Sequence, residues 1–193
     1  MEDALTESAF APHVEQESRE SALVEAAKHD VRAFGELYER YHNRVYRYVY
    51  HRVGMQTDAE DITAAVFMKA LEALPAYQAR RNGFAPWLFR IAHNAVVDHY
   101  RRHKIQRSYD DLDQEAADPD PLAHVLGNER RDELHSLVQC LSPEQREVVL
   151  MRYAADLSFK EIAAVLKKNE PAIRMLLHRG LRRLKAVMDG DGQ

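Results

Sequence analysis

The sequence predicts an all-α protein built from two small helical domains joined by a flexible acidic linker. Three observations carry that expectation. Apolar residues recur every three or four positions in segment after segment, the spacing of an amphipathic helix. Five of these segments follow helix-start signals. One stretch, residues 105–127, loses its periodicity and holds Asp118-Pro119-Asp120-Pro121, a linker composition. No internal repeat spans the linker, so the two halves differ in kind. The expected organisation is an acidic N-terminal segment (1–30), a first helical domain (31–104), the linker (105–127) and a second helical domain (128–188).

The first domain opens with a long helix over residues 31–53, where Phe34, Leu37, Tyr38, Tyr41, Val45, Tyr48 and Val49 form one stripe and Gly54 ends it. Thr57 and Glu60 have capping-box spacing, with Asp58 and Asp61 adding negative charge at the positive end of the next helix. Its stripe of Ile62, Val66, Phe67, Ala70, Leu71 and Leu74 stops before Pro75. Residues 75–85 read as a loop with an Asn82-Gly83 turn and Tyr77, Arg80, Arg81 and Phe84 close together. Pro86 suits the first turn of a third helix, whose inner face is Leu88, Ile91, Ala92, Ala95 and His99. That leaves Arg90, Asn94, Asp98 and Arg101 on another face.

In the second domain Leu134, Leu137, Val138 and Leu141 precede Ser142-Pro143-Glu144-Gln145, a capping box with proline at the first helical position. That helix runs to about Ala154. Ser158 and Glu161 form another capping box, ahead of Phe159, Ile162, Ala163 and Leu166. Asn169 is a good N-cap for a last helix ending near Met188.

The formal net charge is −4, but it is unevenly spread. Residues 1–30 carry eight acids against two bases, and residues 108–121 six acids and no base; both read as solvated, weakly structured segments. Residues 80–107 carry seven bases against Asp98 alone, and residues 160–185 eight against Glu161 and Glu170. Two basic zones flanking an acidic connector offer two places to hold a polyanion. No apolar run is long enough to span a membrane, and the acidic N-terminus lacks the pattern of a signal peptide, so a cytoplasmic location is expected. The single cysteine, Cys140, excludes an internal disulfide framework and reads as a buried small hydrophobe.

Two short helices joined by about three residues, the second one basic, make a helix-turn-helix. Ala163 is small where the helices cross, and Ile173 and Leu176 pack the second onto the first. Arg174, His178 and Arg179 then point outward, where they can reach base edges in a major groove. Lys160, Lys168, Arg182, Arg183 and Lys185 are placed for phosphates.

These motifs together resemble the extracytoplasmic-function sigma factors of the sigma-70 family. Ala33-Phe34-Gly35-Glu36-Leu37-Tyr38, Asp58-Ala59-Glu60-Asp61, Ala70-Leu71 and Trp87-Leu88-Phe89-Arg90-Ile91-Ala92-His93-Asn94 are similar to conserved region 2. Leu141-Ser142-Pro143-Glu144-Gln145-Arg146, Ile162-Ala163 and His178-Arg179 are similar to region 4. About 140 residues are covered, in the right order. The chain departs from the pattern at Ala64-Ala65, where the family often has Gln-Glu, and at Lys167, where glycine is usual.

The resemblance implies a sigma factor that directs core RNA polymerase to promoter DNA and promotes strand opening. It implies core-polymerase contacts at Asp58, Glu60, Asp61, Phe67 and Lys69. Contacts to the minus-ten element fall at Tyr77, Arg80, Arg81, Asn82, Phe84, Trp87, Arg90, Asn94 and Arg101. Those to the minus-thirty-five element fall at Lys168, Arg174, Met175, His178, Arg179 and Arg182. An anti-sigma factor is implied as a further partner. Aromatic and basic groups at 77–102 also suit holding unstacked bases, although Trp87 reads more readily as a core anchor.

Two other classes of function compete with this one. His99 and His103 have the i, i+4 spacing of metal ligands, but Arg101, Arg102 and Lys104 surround them. No glycine-rich phosphate loop or nucleophile motif is present. The expectation is therefore no enzyme, no metal and no cofactor. The alternative is a helix-turn-helix regulator or adaptor whose N-terminal domain binds a partner; it gives no reason for the basic, aromatic helix at 87–102.

Overall fold

The computed structural model describes residues 11–78, 83–110 and 137–190, and every described element is helical. Seven α-helices have both ends among the described residues, in order: α1 Ala11–Ala27, α2 Val31–Val53, α3 Gln56–Ala73, α4 Phe84–Asp110, α5 Pro143–Tyr153, α6 Phe159–Leu166 and α7 Glu170–Met188. A 3₁₀ turn, Leu74–Ala76, closes α3 around Pro75. Among the described residues no helix is long and apolar enough to cross a membrane.

The long α2 has the expected bounds. Asp30 caps it by accepting from the Arg32 amide, and Gly54 ends it in the left-handed conformation, φ 82°, where glycine lacks the steric cost of a Cβ. Its stripe is interior except at Tyr38, which is 37% exposed: Phe34, Leu37, Tyr41, Val45, Tyr48 and Val49 are buried. α3 and α4 complete the bundle through Ala59, Val66, Ala70, Leu88, Phe89, Ala92 and Val96. Truncating a fully buried side chain such as Phe89 would cost about 3–5 kcal/mol.

Four expectations are corrected. The acidic N-terminal segment is not merely solvated: α1 occupies residues 11–27 and buries Val24 and Ala27, with Leu23 packed beside them. Glu20 of α1 accepts a 2.8 Å hydrogen bond from the Tyr41 hydroxyl. Three apolar residues at helical spacing suffice to dock it despite the charge around them. The start of α3 is not a Thr57 capping box; the helix begins at Gln56 behind Met55, which makes no side-chain cap. With only Met55 between the left-handed Gly54 and Gln56, Thr57 falls inside the first turn. α4 continues to Asp110, beyond the expected end at 104. Its apolar stripe fades, but no glycine or proline interrupts it. Cys140 is exposed rather than buried. The rest of the expected linker lies outside the described residues, as does Leu134.

The two sets of helices share one core. Arg44 of α2 donates from Nε to the Ala155 carbonyl at 2.8 Å and from Nη2 to the Asp156 carbonyl at 2.9 Å. At the centre of the seam Glu147 of α5 is 5% exposed. It accepts from the Tyr48 hydroxyl and pairs with Arg52 and with His93 Nδ1, the last at 3.0 Å. Burial opposes its ionisation, but the His93 hydrogen bond, the Arg52 charge and the Tyr48 hydroxyl outweigh that and hold the carboxyl below its ordinary range.

Candidate nucleic-acid interface

The helix-turn-helix is set by local chemistry. Ser158 accepts from the Glu161 amide while the Glu161 carboxylate accepts from the Ser158 amide, so both members of the capping box are made. Lys167 ends α6 in the left-handed conformation, φ 55° and ψ 41°, so the turn the family usually gives to glycine is taken here by lysine. Asn169 then caps α7 by accepting from the Ala172 amide at 2.9 Å. Ile173, Leu177 and Gly180 form the buried edge of α7, with Leu176 partly buried. Gly180 lets the helices approach closely: a Cβ there would lie 3.1 Å from Val149 Cγ2 of α5, which would have to give by a few tenths of an ångström.

With that edge fixed, Arg174, Met175, His178, Arg179 and Arg182 all lie on exposed surface of α7. Met175 is 52% exposed. Arg174 stacks its guanidinium 4.1 Å from the Phe159 ring centre and lies 3.7 Å from Glu170, which holds the side chain along the front of the motif. Lys168 is exposed and bonds Glu144 at 2.8 Å. An outward row of cations on a helix packed by its other face suits entry into a major groove.

The N-terminal zone is more occluded than its sequence suggests. Tyr77 and Phe84 are 7% and 3% exposed. With Trp87 they form one aromatic cluster, at 5.0 Å between the Tyr77 and Trp87 rings and 5.3 Å between Phe84 and Trp87. Phe84 reaches the core through Tyr41. Trp87 is partly buried and lines a cleft with Tyr77, Arg90 and Ala164. The expectation that Arg90 stands on an open face is corrected: its Nη2 donates to the Ala164 carbonyl of α6 at 2.6 Å. Asn94 is exposed, and exposed Arg101 pairs with Asp98 one turn earlier. Arg80, Arg81 and Asn82 lie outside the described residues.

On α3 the acidic motif divides by depth. Glu60, Asp61 and Lys69 are exposed, while Asp58 is partly covered and lies 3.6 Å from His99 Nε2. Phe67, at 6% exposure, is an interior residue, edge-on to Tyr38 at 4.7 Å. Its apolar stripe position already indicated this; the resemblance alone put it among surface contacts.

Residues 37–105 match Sigma-70 region 2 and residues 131–184 match Sigma-70 region 4. Over 180 residues the chain is 35% identical to the ECF RNA polymerase sigma factor BldN of Streptomyces coelicolor, covering 91% of this chain and 68% of that one. The chain belongs to the extracytoplasmic-function sigma factors. It is also 30% identical over 184 residues to the sigma factor SigD of Mycobacterium tuberculosis, covering 91% and 87% of the two chains. Among solved structures, CnrH in complex with the cytosolic domain of CnrY superposes with a TM-score of 0.71 at 25% identity, over 89% of this chain and 98% of that one. The sigma factor RpoE, solved with the anti-sigma factor NepR from Bartonella quintana, shares the fold at a TM-score of 0.65 and 20% identity, over 81% and 96%.

An extracytoplasmic-function sigma factor is a transcription initiation factor of RNA polymerase, and region 2 fills the half that an adaptor would devote to some other partner. The adaptor reading is not favoured. Within the sigma factor, sequence reasoning missed the contacts of Arg44, Glu147 and Arg90 across the seam. Glu147 immediately precedes an apolar run, Val148-Val149-Leu150-Met151, and that was the available signal.

Proposed function

We propose that this sigma factor acts in the cytoplasm as a non-enzymatic specificity subunit with one polymerase-facing surface and two DNA-facing surfaces. The observation that carries this reading is the exposed cationic row on α7, opposite the edge that packs against α5 and α6. Arg174, Met175, His178 and Arg179 face the upstream promoter element, with Lys168 and Arg182 on its phosphates. Glu60 and Asp61, with Lys69 on the same helix, face core polymerase beside Asp58. Phe67 supports that surface from beneath.

Trp87, Asn94 and Arg101 serve strand opening near the minus-ten element, together with the loop at 80–82. Tyr77 and Phe84 buttress Trp87 from the core side. Arg90 joins them once the second helical set leaves Ala164, so engagement of both DNA elements requires the halves to separate at the seam. An anti-sigma protein is a further partner on this reading: the similar CnrH is found in complex with the cytosolic domain of CnrY, and RpoE with the anti-sigma factor NepR.

Retention on core polymerase tests the assignment of surfaces. Replacing Glu60 and Asp61 together by alanine should lower retention at least tenfold, a loss of about 1.4 kcal/mol or more. Arg174→Ala and Arg179→Ala should leave it unchanged. Equal retention by all three variants would refute the division of surfaces.

A further inference from the structure

The sequence placed His99 and His103 one turn apart on α4 but supplied no third ligand. The fold supplies one. Asp58, in the first turn of α3, comes against them, and one ligand atom from each of the three lies within 4.8 Å of the others. We propose that Asp58, His99 and His103 form a binding site for a divalent transition metal of the zinc, cobalt or nickel class, bridging α3 to α4.

The chemistry of the set fits that class. Imidazole nitrogens suit zinc, nickel and copper, and two histidines with one carboxylate leave a coordination position for water. The His99 and His103 rings are 4.2 Å apart between centres, and His99 Nε2 faces Asp58 Oδ2 at 3.6 Å. A tetrahedral ion with bonds of about 2.0–2.1 Å needs its ligands roughly 3.3 Å apart. Closing the set therefore takes up to about 1.5 Å of side-chain movement, which exposed His103 can supply.

The charges around the site decide whether a cation is tolerated. Arg102 lines the same cleft, and so does Asp61, one turn beyond Asp58. Two carboxylates thus face one guanidinium there. Bound metal would occupy the Asp58 carboxylate and pin the start of α3, but the site itself does not depend on the role proposed for that helix in polymerase binding.

The test uses the full, untagged chain freed of metal, titrated with Co²⁺ followed by its visible absorption and with Zn²⁺ followed by thermal shift. Wild type should take up one equivalent and melt at higher temperature with Zn²⁺. His103→Ala alters an exposed side chain, so its metal-free melting temperature should match wild type while its affinity falls tenfold or more. Asp58→Asn should fall likewise, and His178→Ala, on α7, should bind as wild type. Absence of a stoichiometric site in wild type, or binding unchanged in His103→Ala, would overturn the proposal. Loss in His103→Ala with Asp58→Asn unchanged would overturn the bridge to α3.

Discussion

Glu147 on α5 meets His93 on α4 at 3.0 Å, so a carboxylate of the region 4 helices is buried against the region 2 helices. Arg52 of α2 completes the pair from the other side, 12% exposed at its side chain. A buried ion pair contributes little over well-packed apolar groups, but breaking it leaves a lone buried charge, at a cost of about 3–5 kcal/mol. Glu147→Ala should therefore destabilise the folded chain by roughly that amount in urea melts, while Arg52→Met with Glu147→Leu should recover much of the loss. A double variant no better than the single one would contradict this account of the seam.

The same carboxylate sets an acid limit. Its folded pKa lies below the ordinary value of 4.5, so its contribution is complete above that pH and disappears as the pH falls through the lowered value. Urea melts should show wild type more stable than Glu147→Gln at pH 7, with the gap narrowing below about pH 4.5. A gap that widened in acid would mean that the carboxyl is held protonated.

Lys167 carries a left-handed turn that disfavours any residue with a Cβ. Lys167→Gly should raise stability by up to about 1 kcal/mol, limited by the greater freedom of glycine in the unfolded chain. Lys167→Val should lower it by about 1–2 kcal/mol. Thermal melting of the two variants checks the sign.

Much of this was legible in the sequence because it is written in local chemistry. The bounds of α2, the capping boxes at Ser142 and Ser158 and the Asn169 cap depend on neighbours within four residues. The outward cations of α7 followed from Ile173 and its partners facing in. What escaped depends on residues distant in the chain. Arg90 reads as a free cation until Ala164, 74 positions away, takes its Nη2, and His99 has no third ligand until α3 brings Asp58. Tyr77 and Phe84 read as base-holding aromatics, and their burial escaped because a core anchor and a base platform both want an aromatic ring.

Promoter use should separate the two DNA-facing zones. Arg174→Ala or Arg179→Ala should weaken upstream recognition, each by about 1–3 kcal/mol if bidentate to guanine. Arg90→Ala combined with Asn94→Ala should impair opening instead. A template with a pre-formed bubble should rescue the second variant far better than the first. Equal rescue would show the zones not to be divided in this way.

The most direct test is transcription in vitro from genomic fragments with purified core RNA polymerase, with and without this chain. The chain should be retained on core enzyme and give initiation at a discrete set of start sites absent from core alone, while binding duplex DNA only weakly by itself. Tight sequence-specific binding by the isolated chain, with no retention on core and no new start sites, would contradict the account.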